Sequence, residues 1–574
     1  MKPETRNRMP IEPRRKHAKD ARRRWHRLPA CAFLLSLLAG AALWAVRLSS
    51  SAAVDSQGSS EGPTLRIGVV RDATHVRLIA YAEFEILSSA GRAVFTCAGP
   101  NVLRFSAVGG RPGTFYYYVV VAEFEKRNKP QARRLLTQLR EALTVGMEIL
   151  ETSPRLAQPK DRTGQGKRLL VAVGPFDDLD LADQWKQYLL RTYPAYIVKD
   201  TSKRATGEIH LYDRQDRLLA RMKDSLAIRL KDERQLLSVE ALEQTGPRWA
   251  DQKRTRPRYR GSLEIRLNDS GRLTAINALS LEEYVKGVVP SEIGATAPFE
   301  ALKAQAITAR SEALHKLGSD HHLNDPYDFC DRPHCQTYHG LRDQTGTSVR
   351  AVTETRGLVL VNGNEIVDAV YCHSCGGVSA DSRDVWRSLN YPFFRAAYDR
   401  RFWRSSPNLS SERRAHSWLD SRPDVFCNPT QRGFPEYAKK YFRWTRHMDG
   451  AKLEQTINRI RRVGQILDLE VVERAESGRV RVLRVHGSRE RVRFTGGPNV
   501  CLILGDLPSS FFVLDAEHDR RSPHAITSLT IRGGGFGHGV GMCQMGARMM
   551  AHRGYSCEEI LGHYYPQTSI TKAY

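Results

Sequence analysis

The segment GGGFGHGVGMCQMGARMMAHRG, residues 533–554, constrains the fold more than any other part of this chain, because glycine fills every second position from 533 to 541. It does not match the dinucleotide pattern G-x-G-x-x-G, since Met542 and Gln544 stand where that pattern needs its third glycine. It does not match a P-loop either, since Ala547 and Arg548 follow the glycines at 541 and 546. A nucleotide-phosphate site is therefore not indicated.

The sequence on both sides of this glycine-rich segment predicts regular structure. SLTIRG before it is typical of a strand, and CQMGARMMAHRG predicts a helix that ends at Gly554. The segment is therefore not a flexible linker. Glycine permits positive φ and a close approach of the backbone to a bulky group, so we expect His538 and Gln544 to face a cleft. A tight glycine-rich corner with a structural histidine is the alternative.

Length and charge set broader limits. A chain of 574 residues is too long for one core and predicts two to four domains. The formal net charge of +25 predicts attraction to a polyanion, namely nucleic acid, anionic lipid or an acidic cell-wall polymer. A general arginine-rich composition explains the same charge equally well.

The N-terminus favours a membrane over nucleic acid. A basic tail, residues 1–27, precedes the charge-free run LPACAFLLSLLAGAALWAV, which is long enough to span a bilayer as a helix. We assign residues 28–47 as a transmembrane signal anchor with a cytoplasmic N-terminus, and residues 48–63 as a linker. The main body is then exported. A cleaved signal peptide is the alternative.

A separate unit follows an N-terminal β segment, residues 64–112. Residues 113–200 alternate strand and helix patterns in the order β-α-β-β-α-β, which is a split βαβ arrangement. With the sequence VAVGPF, this unit resembles a SPOR module, and that resemblance implies binding to glycan strands stripped of peptides. An insertion without a ligand is the alternative. Residues 201–260 are a β-rich segment and a basic connector.

Residues 261–399 carry the features closest to chemistry. Two strand patterns flank Asn268-Asp269-Ser270-Gly271, which predicts a hairpin. A short helix or turn over 281–289 leads to Glu292 in a predicted loop, and Pro298 lies in the first turn of a further helix. Apolar neighbours would raise the pKa of Glu292, as a general acid near neutral pH requires. The residues alone do not separate this from an exposed loop glutamate. The predicted buried stripe of the second helix is Phe299, Leu302, Ala306, Ala309 and Ala313.

Four ordered segments closely resemble the SpoIID/LytB family. They are YVKGVVPSEIGATAPFEALKAQAITARSEAL, DPYDFCDRPHCQTYHG, AVYCHSCGGVSADSRDVW and the C-terminal GHGVGMCQMGA segment. The resemblance implies a multi-domain α+β fold with a SpoIID-like core at 261–399, an insertion of unknown role at 400–524 and a C-terminal signature at 525–574. SpoIID proteins are lytic transglycosylases of peptidoglycan, and LytB-type relatives are described as modifiers of amidases. The family's catalytic glutamate corresponds to Glu292.

A lytic transglycosylase needs a single acid, whereas an ordinary glycosidase needs two carboxylates. Glu292 alone satisfies the first requirement, although Asp328, Asp381 and Asp384 in the matched segments leave a second carboxylate open. Tyr371 and Trp386 are either sugar-stacking or core aromatics. The residues expected to bind substrate are Arg310, Gln336, Tyr338, Ser374, His538 and Gln544.

The cysteines leave two readings open. Cys330, Cys335, Cys372 and Cys375 are candidates for zinc, with His322, His334 or His373 as replacement ligands. In an exported domain, disulfides or buried thiols are the preferred alternative, so we predict no metal and no cofactor. A nucleophilic Cys543 paired with His538 is disfavoured, because no third orienting group is evident.

Two classes of function follow. The first is a membrane-anchored lytic transglycosylase that cleaves the MurNAc–GlcNAc bonds of peptide-stripped glycan and leaves 1,6-anhydroMurNAc ends. The second is a non-catalytic glycan-binding activator of an N-acetylmuramoyl-L-alanine amidase. The predicted partners are therefore glycan strands, an amidase in the second case, and the membrane, but no nucleic acid.

Overall fold

The computed structural model describes residues 61–142, 145–152, 156–157, 168–177, 179–189, 195–232, 235–242, 257–317, 322, 325–386, 391, 393–400, 408–518 and 525–574. The predicted cytoplasmic tail, the transmembrane anchor at 28–47, most of the linker and most of the basic connector lie outside these residues. Within the ranges just given, no helix combines the length and the apolar composition needed to cross a membrane.

The described part of the chain contains both strands and helices along its length. The strands are β1 Thr64–Ala73, β2 His75–Ala80, β3 Phe84–Ser88, β4 Ala93–Cys97, β5 Asn101–Arg111, β6 Thr114–Glu125, β7 Met147–Glu151, β8 Leu156–Ala157, β9 Arg168–Phe176, β10 Tyr196–Lys203, β11 Thr206–Tyr212, β12 Leu218–Met222, β13 Ser225–Leu230, β14 Leu237–Ala241, β15 Ser262–Leu267, β16 Leu273–Ser280, β17 Phe329–Cys330, β18 Leu358–Asn362, β19 Glu365–Ile366, β20 Tyr371–Cys372, β21 Trp444–Asp449, β22 Ile466–Arg474, β23 Val480–Gly487, β24 Arg491–Thr495, β25 Phe512–His518, β26 Ile526–Gly533, β27 Met542–Cys543 and β28 Ser569–Lys572. The helices are α1 Lys129–Ala142, α2 Leu179–Leu189, α3 Leu281–Val289, α4 Phe299–Lys316, α5 Gly346–Glu354, α6 Ser382–Val385, α7 Glu412–Asp420, α8 Lys439–Phe442, α9 Gly450–Ile460, α10 Gly497–Ile503, α11 Gln544–His552 and α12 Cys557–Tyr564.

The chain divides into two compact units, and the smaller one contains residues 116–189 and 193–200. Its elements run β6-α1-β7-β8-β9-α2-β10, with strand order β7-β9-β6-β10-β8. This is the predicted β-α-β-β-α-β order with one additional two-residue strand. On α2, Trp185 stacks on Phe176 at 6.3 Å between ring centroids. The SPOR-like identity of this unit stays a prediction.

The larger unit begins with two sheets that share one apolar core and are antiparallel except for the parallel pair β1 and β17. The seven-stranded sheet has the order β17-β1-β16-β15-β13-β3-β4, and the five-stranded sheet has the order β12-β11-β5-β2-β14. Strands β15 and β16 form the hairpin that the sequence predicts. The Asn268 side chain closes its turn by accepting the backbone N–H groups of Ser270 and Arg272.

Helices α3 and α4 follow β16 of the large sheet. The Ser280 hydroxyl caps α3 by accepting the Glu283 N–H, as expected of serine at a helix N-terminus. A π-helical turn, Pro290–Gly294, continues directly from α3. The predicted loop at Glu292 is therefore wrong: the glutamate lies on a regular helical turn. Such π-turns are frequently found at functional sites.

Helix α4 is buried on more than the predicted stripe. Leu302, Ala306 and Ala309 are buried as expected, but so are the polar residues Gln305 and Arg310. The reason is that α4 packs against α3, α5, α11, α12 and β18 at once. It is the central helix of the domain that carries Glu292.

The predicted insertion, residues 400–524, folds together with the C-terminal segment. Strand β26, which leads into the glycine-rich segment, lies between β21 and β25 of that insertion. Beyond the glycines, β27 pairs in parallel with β20, so that Met542 lies opposite Tyr371 and Cys543 opposite Cys372. Helix α11 then begins at Gln544 and ends at His552, two residues before the predicted end. Ser556 and Glu559 form the predicted capping box of α12.

Candidate functional site

Glu292 is held by donors from two distant parts of the chain. Its Oε1 accepts the backbone N–H of Thr337 at 2.5 Å, and its Oε2 accepts the amide of Gln544 at 3.3 Å. The carboxyl group is partly buried. Burial raises the pKa of Glu292 above its ordinary value, although both hydrogen bonds act in the opposite direction by favouring the carboxylate. The group is thus biased toward the protonated form of a general acid.

A second polar group lies on the other side of the π-turn. Ser291 donates its hydroxyl to Asp343 at 3.1 Å, and His339 Nδ1 lies 2.8 Å from the same carboxylate oxygen. Burial opposes ionisation of Asp343, but the hydrogen bonds from His339 and Arg342 hold its pKa well below the ordinary range. Asp343 is therefore an ionised neighbour of the turn, and the sequence analysis did not single it out.

Gln544 positions the acid from the C-terminal signature. Its amide nitrogen lies 3.3 Å from Glu292 Oε2 and 3.3 Å from Oε1 of Gln305 on α4. Its side chain is only 2% exposed, so it presents nothing to bulk solvent. Gln544 therefore contacts the acid, and its predicted contact with substrate stays a prediction.

The structure corrects two predicted substrate contacts. Arg310 has no exposed surface, because its guanidinium forms a two-pronged ion pair with Glu282 at 2.8 and 2.9 Å and donates to the Leu358 carbonyl. Tyr338 is 2% exposed and donates its hydroxyl to Asn277 at 2.9 Å. Both side chains belong to the core, so neither reaches a ligand.

Two further predicted contacts are also internal. Gln336 is buried, donates to the Ala309 carbonyl and accepts the hydroxyl of Tyr371 at 2.9 Å. It fixes the loop that presents the neighbouring Thr337 N–H to Glu292. Ser374 is buried, and its backbone pairs with that of Phe536. Both residues support the site from within the protein.

The glycine-rich segment meets protein groups at close range. Gly539 has φ of +80°, and a Cβ there would lie 1.9 Å from the Arg479 guanidinium. A Cβ on Gly541 would lie 1.9 Å from the Val370 carbonyl oxygen. The backbone approaches bulky groups closely at Gly539 and Gly541, as predicted, but those groups are Arg479 and Val370 of the chain itself. The tight-corner alternative is therefore the better description of residues 539–541.

His538 is partly buried against Trp386, with 4.9 Å between ring centroids. Its Nδ1 accepts the backbone N–H of Val540 at 3.1 Å, which places a ring proton on Nε2 when the imidazole is neutral. Burial lowers the pKa of His538 to about 3, so it stays neutral over the physiological range. A ring that stays neutral and is hydrogen-bonded to the backbone is suited to a structural role and not to proton exchange with Cys543.

An aromatic platform adjoins the π-turn; it consists of His373, Tyr437, Tyr441 and Phe536. Tyr441 and Phe536 stack at 4.4 Å between centroids, and Tyr437 and Phe536 are 54% and 39% exposed. A Cβ on Gly294 would lie 3.5 Å from the Tyr437 hydroxyl, so the platform reaches the turn that carries Glu292. Exposed aromatic faces are apolar surfaces suited to packing against a ligand ring.

Sequence reasoning missed this platform. Tyr437 and Tyr441 lie in the insertion to which no role was given, and only Phe536 and His373 lie in quoted motifs. Burial lowers the pKa of His373 to about 4, and its Nε2 makes no hydrogen bond within the described part of the chain. That atom is a buried polar group beneath the aromatic rings.

The three alternative carboxylates are occupied elsewhere. Asp328 accepts the Arg66 N–H, and Asp381 caps α6 and pairs with Arg383 at 2.7 Å. Asp384 accepts the Ser477 hydroxyl at 3.3 Å. The ionised carboxylate joined to the π-turn is Asp343 instead.

The zinc candidates do not form one group. Cys330 and Cys335 meet His322 and His334, with ligand atoms within 4.8 Å of one another, whereas Cys375 meets three other residues and Cys372 belongs to neither described group. Sulfur and imidazole ligands of this kind suit tetrahedral zinc. The Asp325 carboxylate accepts from His322 Nδ1 at 2.8 Å, a contact that would orient the ring of a metal-binding histidine. The nine described cysteines are not joined by disulfides.

Comparisons with known proteins match two parts of this chain. Residues 269–362 match the family model SpoIID, described as Stage II sporulation protein, and residues 380–541 match a domain of unknown function, DUF8618. The amidase enhancer of Bacillus subtilis (strain 168) is 27% identical over 304 residues, which cover 50% of this chain and 40% of that protein. Stage II sporulation protein D of the same organism is 26% identical over 308 residues, which cover 51% of this chain and 75% of that protein.

The fold and site define a multi-domain protein of mixed α and β structure, in which Glu292 of the first matched motif contacts Gln544 of the last. Residues 269–362 match the SpoIID family, and about half of the chain is similar to an amidase enhancer and to a Stage II sporulation protein D. The region of unknown role assigned above to 400–524 falls within the second matched domain, which supplies Tyr437 and Tyr441 to the aromatic platform.

Proposed function

We propose that this chain is a peptidoglycan lytic transglycosylase with Glu292 as its general acid and base. The observation that carries the proposal is the state of that carboxyl group. Burial raises its pKa, two donors fix its oxygens, and an exposed aromatic platform lies beside the turn that holds it. Cleavage of a glycan requires at least a general acid and an adjacent surface that binds a sugar ring.

The proposed reaction has two proton transfers. Protonated Glu292 first donates to the glycosidic oxygen between MurNAc and GlcNAc, and the C1–O bond breaks. The resulting carboxylate then accepts the proton of the C6 hydroxyl, while that oxygen bonds to C1 of the same MurNAc. The product is a 1,6-anhydro sugar, no water is consumed, and Glu292 returns to its starting state.

Thr337 and Gln544 fit the second half of this cycle. Both donate hydrogen bonds that stabilise the carboxylate formed after the first transfer, whereas burial stabilises the acid. Opposed influences of this kind bring the two protonation states closer in free energy, as a group that alternates between acid and base requires.

The sequence supports a substrate and a location for this proposal. We propose peptide-stripped glycan as the polymer, with the SPOR-like unit at 113–200 binding the same strands. The basic tail and the apolar run at 28–47 support a single-pass anchor in the cytoplasmic membrane, with the main body on the exported side.

One comparison favours a second function, that of a glycan-binding activator of an N-acetylmuramoyl-L-alanine amidase. The relative named amidase enhancer is 27% identical over half of this chain. In that case the platform would bind glycan and Glu292 would have no catalytic task.

The test is cleavage of purified sacculi and of amidase-stripped glycan by the full-length chain, with products identified by mass spectrometry. We expect 1,6-anhydromuramyl products from stripped glycan, and we expect their loss in Glu292→Gln. The control is Glu354→Gln, which neutralises an exposed carboxylate on α5 and should leave the products unchanged. Retained glycan binding without cleavage by wild-type protein, together with stimulation of an added amidase, would support the second function instead.

A further inference from the structure

A group of three thiols and one carboxylate lies buried beneath the glycine-rich segment. It consists of Cys375, Asp399, Cys427 and Cys543, whose ligand atoms all lie within 4.8 Å of one another. All four residues are buried, with exposed fractions of 2% or less. We propose that this group is a structural zinc site that binds the domain at 380–541 to the C-terminal signature.

The spacing of the ligand atoms fits a tetrahedral ion. A Zn–S bond of about 2.3 Å gives a sulfur–sulfur edge of about 3.8 Å in a regular tetrahedron. Cys375 Sγ lies 3.6 Å from Cys427 Sγ and 3.5 Å from Asp399 Oδ2. The side chains therefore converge on a common centre at the separation that zinc needs.

The Asp399 carboxylate is oriented for this role. Its Oδ1 accepts the hydroxyl of Tyr564 at 2.8 Å, and His563 Nε2 lies 3.7 Å from the same oxygen. Its Oδ2 faces the sulfurs and accepts the Cys427 N–H at 3.1 Å. One oxygen is thus fixed by outer groups while the other points inward, which is the usual arrangement of a ligating carboxylate.

Backbone donors surround the sulfur of Cys543. The N–H groups of Cys375 and Gly546 approach it at 3.3 and 3.4 Å. Hydrogen bonds of this kind favour a thiolate, which is the form that binds metal. A Cβ on Gly546 would lie 2.9 Å from both Asp399 oxygens and 2.0 Å from the Tyr564 hydroxyl, so the glycine makes room for the carboxylate.

Two shielded arginines supply matching positive charge. Arg479 is fully buried and donates to the Cys375 carbonyl at 3.0 Å, and Arg443 donates to the Gly376 carbonyl at 2.9 Å. Zinc with three thiolates and one carboxylate carries a net negative charge, and buried cations require such a counter-charge. The cations therefore lie where an anionic centre would stabilise them.

The four ligands come from three separate stretches of chain. Cys375 belongs to the third matched motif and Cys543 to the fourth, whereas Asp399 and Cys427 belong to the domain at 380–541. Four protein ligands without an open position are typical of structural zinc. An ion here would hold the glycine-rich segment and the start of α11, and through Gln544 the site of Glu292.

The test measures zinc per chain in the purified full-length protein, after removal of loosely bound metal. Cys427→Ala and Cys543→Ala should each lose one zinc ion relative to wild type, while Cys501→Ala, a cysteine outside both groups, should lose none. Because each variant's zinc content is compared with that of wild type, zinc bound by the group at Cys330 and Cys335 does not affect the result. Cys335→Ala is measured in parallel to show how much zinc that other group binds. Equal zinc contents in wild type and in the folded Cys427→Ala and Cys543→Ala proteins would overturn the proposal.

Two further measurements do not depend on a cavity-forming variant. Tyr564→Phe removes only the outer hydrogen bond to Asp399 and should release one zinc ion at about tenfold lower chelator concentration than wild type. Peptide mapping of unreduced wild-type protein should show Cys375, Cys427 and Cys543 as free thiols. A Cys375–Cys427 disulfide, or zinc release that is identical in Tyr564→Phe and wild type, would contradict the site.

Discussion

At the scale of single residues, the state of Glu292 depends on opposed contacts. Burial favours the protonated acid, while the Thr337 N–H and the Gln544 amide favour the carboxylate. Neither donor could be assigned from local sequence, because Thr337 and Gln544 lie 45 and 252 positions from the acid. Glu292 itself was found through the V-P-S-E motif, since an isolated loop glutamate carries no chemical signal.

The first prediction concerns pH. Because the acid form of Glu292 starts the reaction, activity should fall as pH rises through the pKa of this group. Gln544→Leu removes a donor that stabilises the carboxylate, so the pKa should rise further and the alkaline limb of kcat/KM should move to higher pH. Gln455→Leu, at an exposed position on α9, is the control. An alkaline limb that does not move in Gln544→Leu would contradict the role given to Glu292.

The second prediction concerns the aromatic platform. Phe536→Ala and Tyr437→Ala remove exposed rings, so the fold should persist while binding to stripped glycan weakens. We expect each dissociation constant to rise about tenfold, which corresponds to about 1.4 kcal/mol. Tyr81→Ala, which removes another exposed tyrosine, should bind as wild type. Unchanged binding in both platform variants, measured by pull-down with labelled glycan, would remove the platform from the substrate site.

At the scale of elements, the glycine-rich segment shows what pattern can and cannot predict. Its flanking strand, its following helix and the close backbone approach followed from local sequence. The partner that fills the space at Gly539 did not, because Arg479 lies 60 positions earlier in a region without a recognised motif. Helix α4 gives the same lesson: its apolar stripe was predictable, but burial of Arg310 depends on Glu282 and on five packed elements.

The third prediction compares two glycines with left-handed backbone. Gly539→Ala and Gly554→Ala both place a side chain at positive φ, which costs about 1–2 kcal/mol. At Gly554 no atom lies within 4 Å of the new Cβ, whereas at Gly539 the new Cβ would meet Arg479 at 1.9 Å. Urea unfolding should therefore show a clearly larger loss of stability for Gly539→Ala. Equal losses would mean that packing against Arg479 does not explain the glycine.

At the scale of the whole molecule, hydrophobic periodicity predicted local elements, whereas family motifs predicted residues that come together from distant positions. The β-α-β-β-α-β order of residues 116–200 followed from periodicity, because its strands and helices are local. The site followed from family motifs, because its parts lie up to 252 positions apart. The contribution of the domain at 380–541 to these sites could not be predicted. Two tyrosines of the aromatic platform and two of the four residues in the buried cysteine–aspartate group come from it.

In the proposed mechanism, Glu292 directs an intramolecular attack by the C6 hydroxyl rather than an attack by water. The most direct measurement is digestion of amidase-stripped glycan in water enriched in the heavy isotope of oxygen, followed by mass spectrometry of the products. We expect 1,6-anhydromuramyl ends without heavy oxygen, formed by wild type and absent in Glu292→Gln. Reducing ends that carry one heavy oxygen atom per cleavage would show hydrolysis, contradict the single-acid mechanism and direct attention to Asp343 as a second carboxylate.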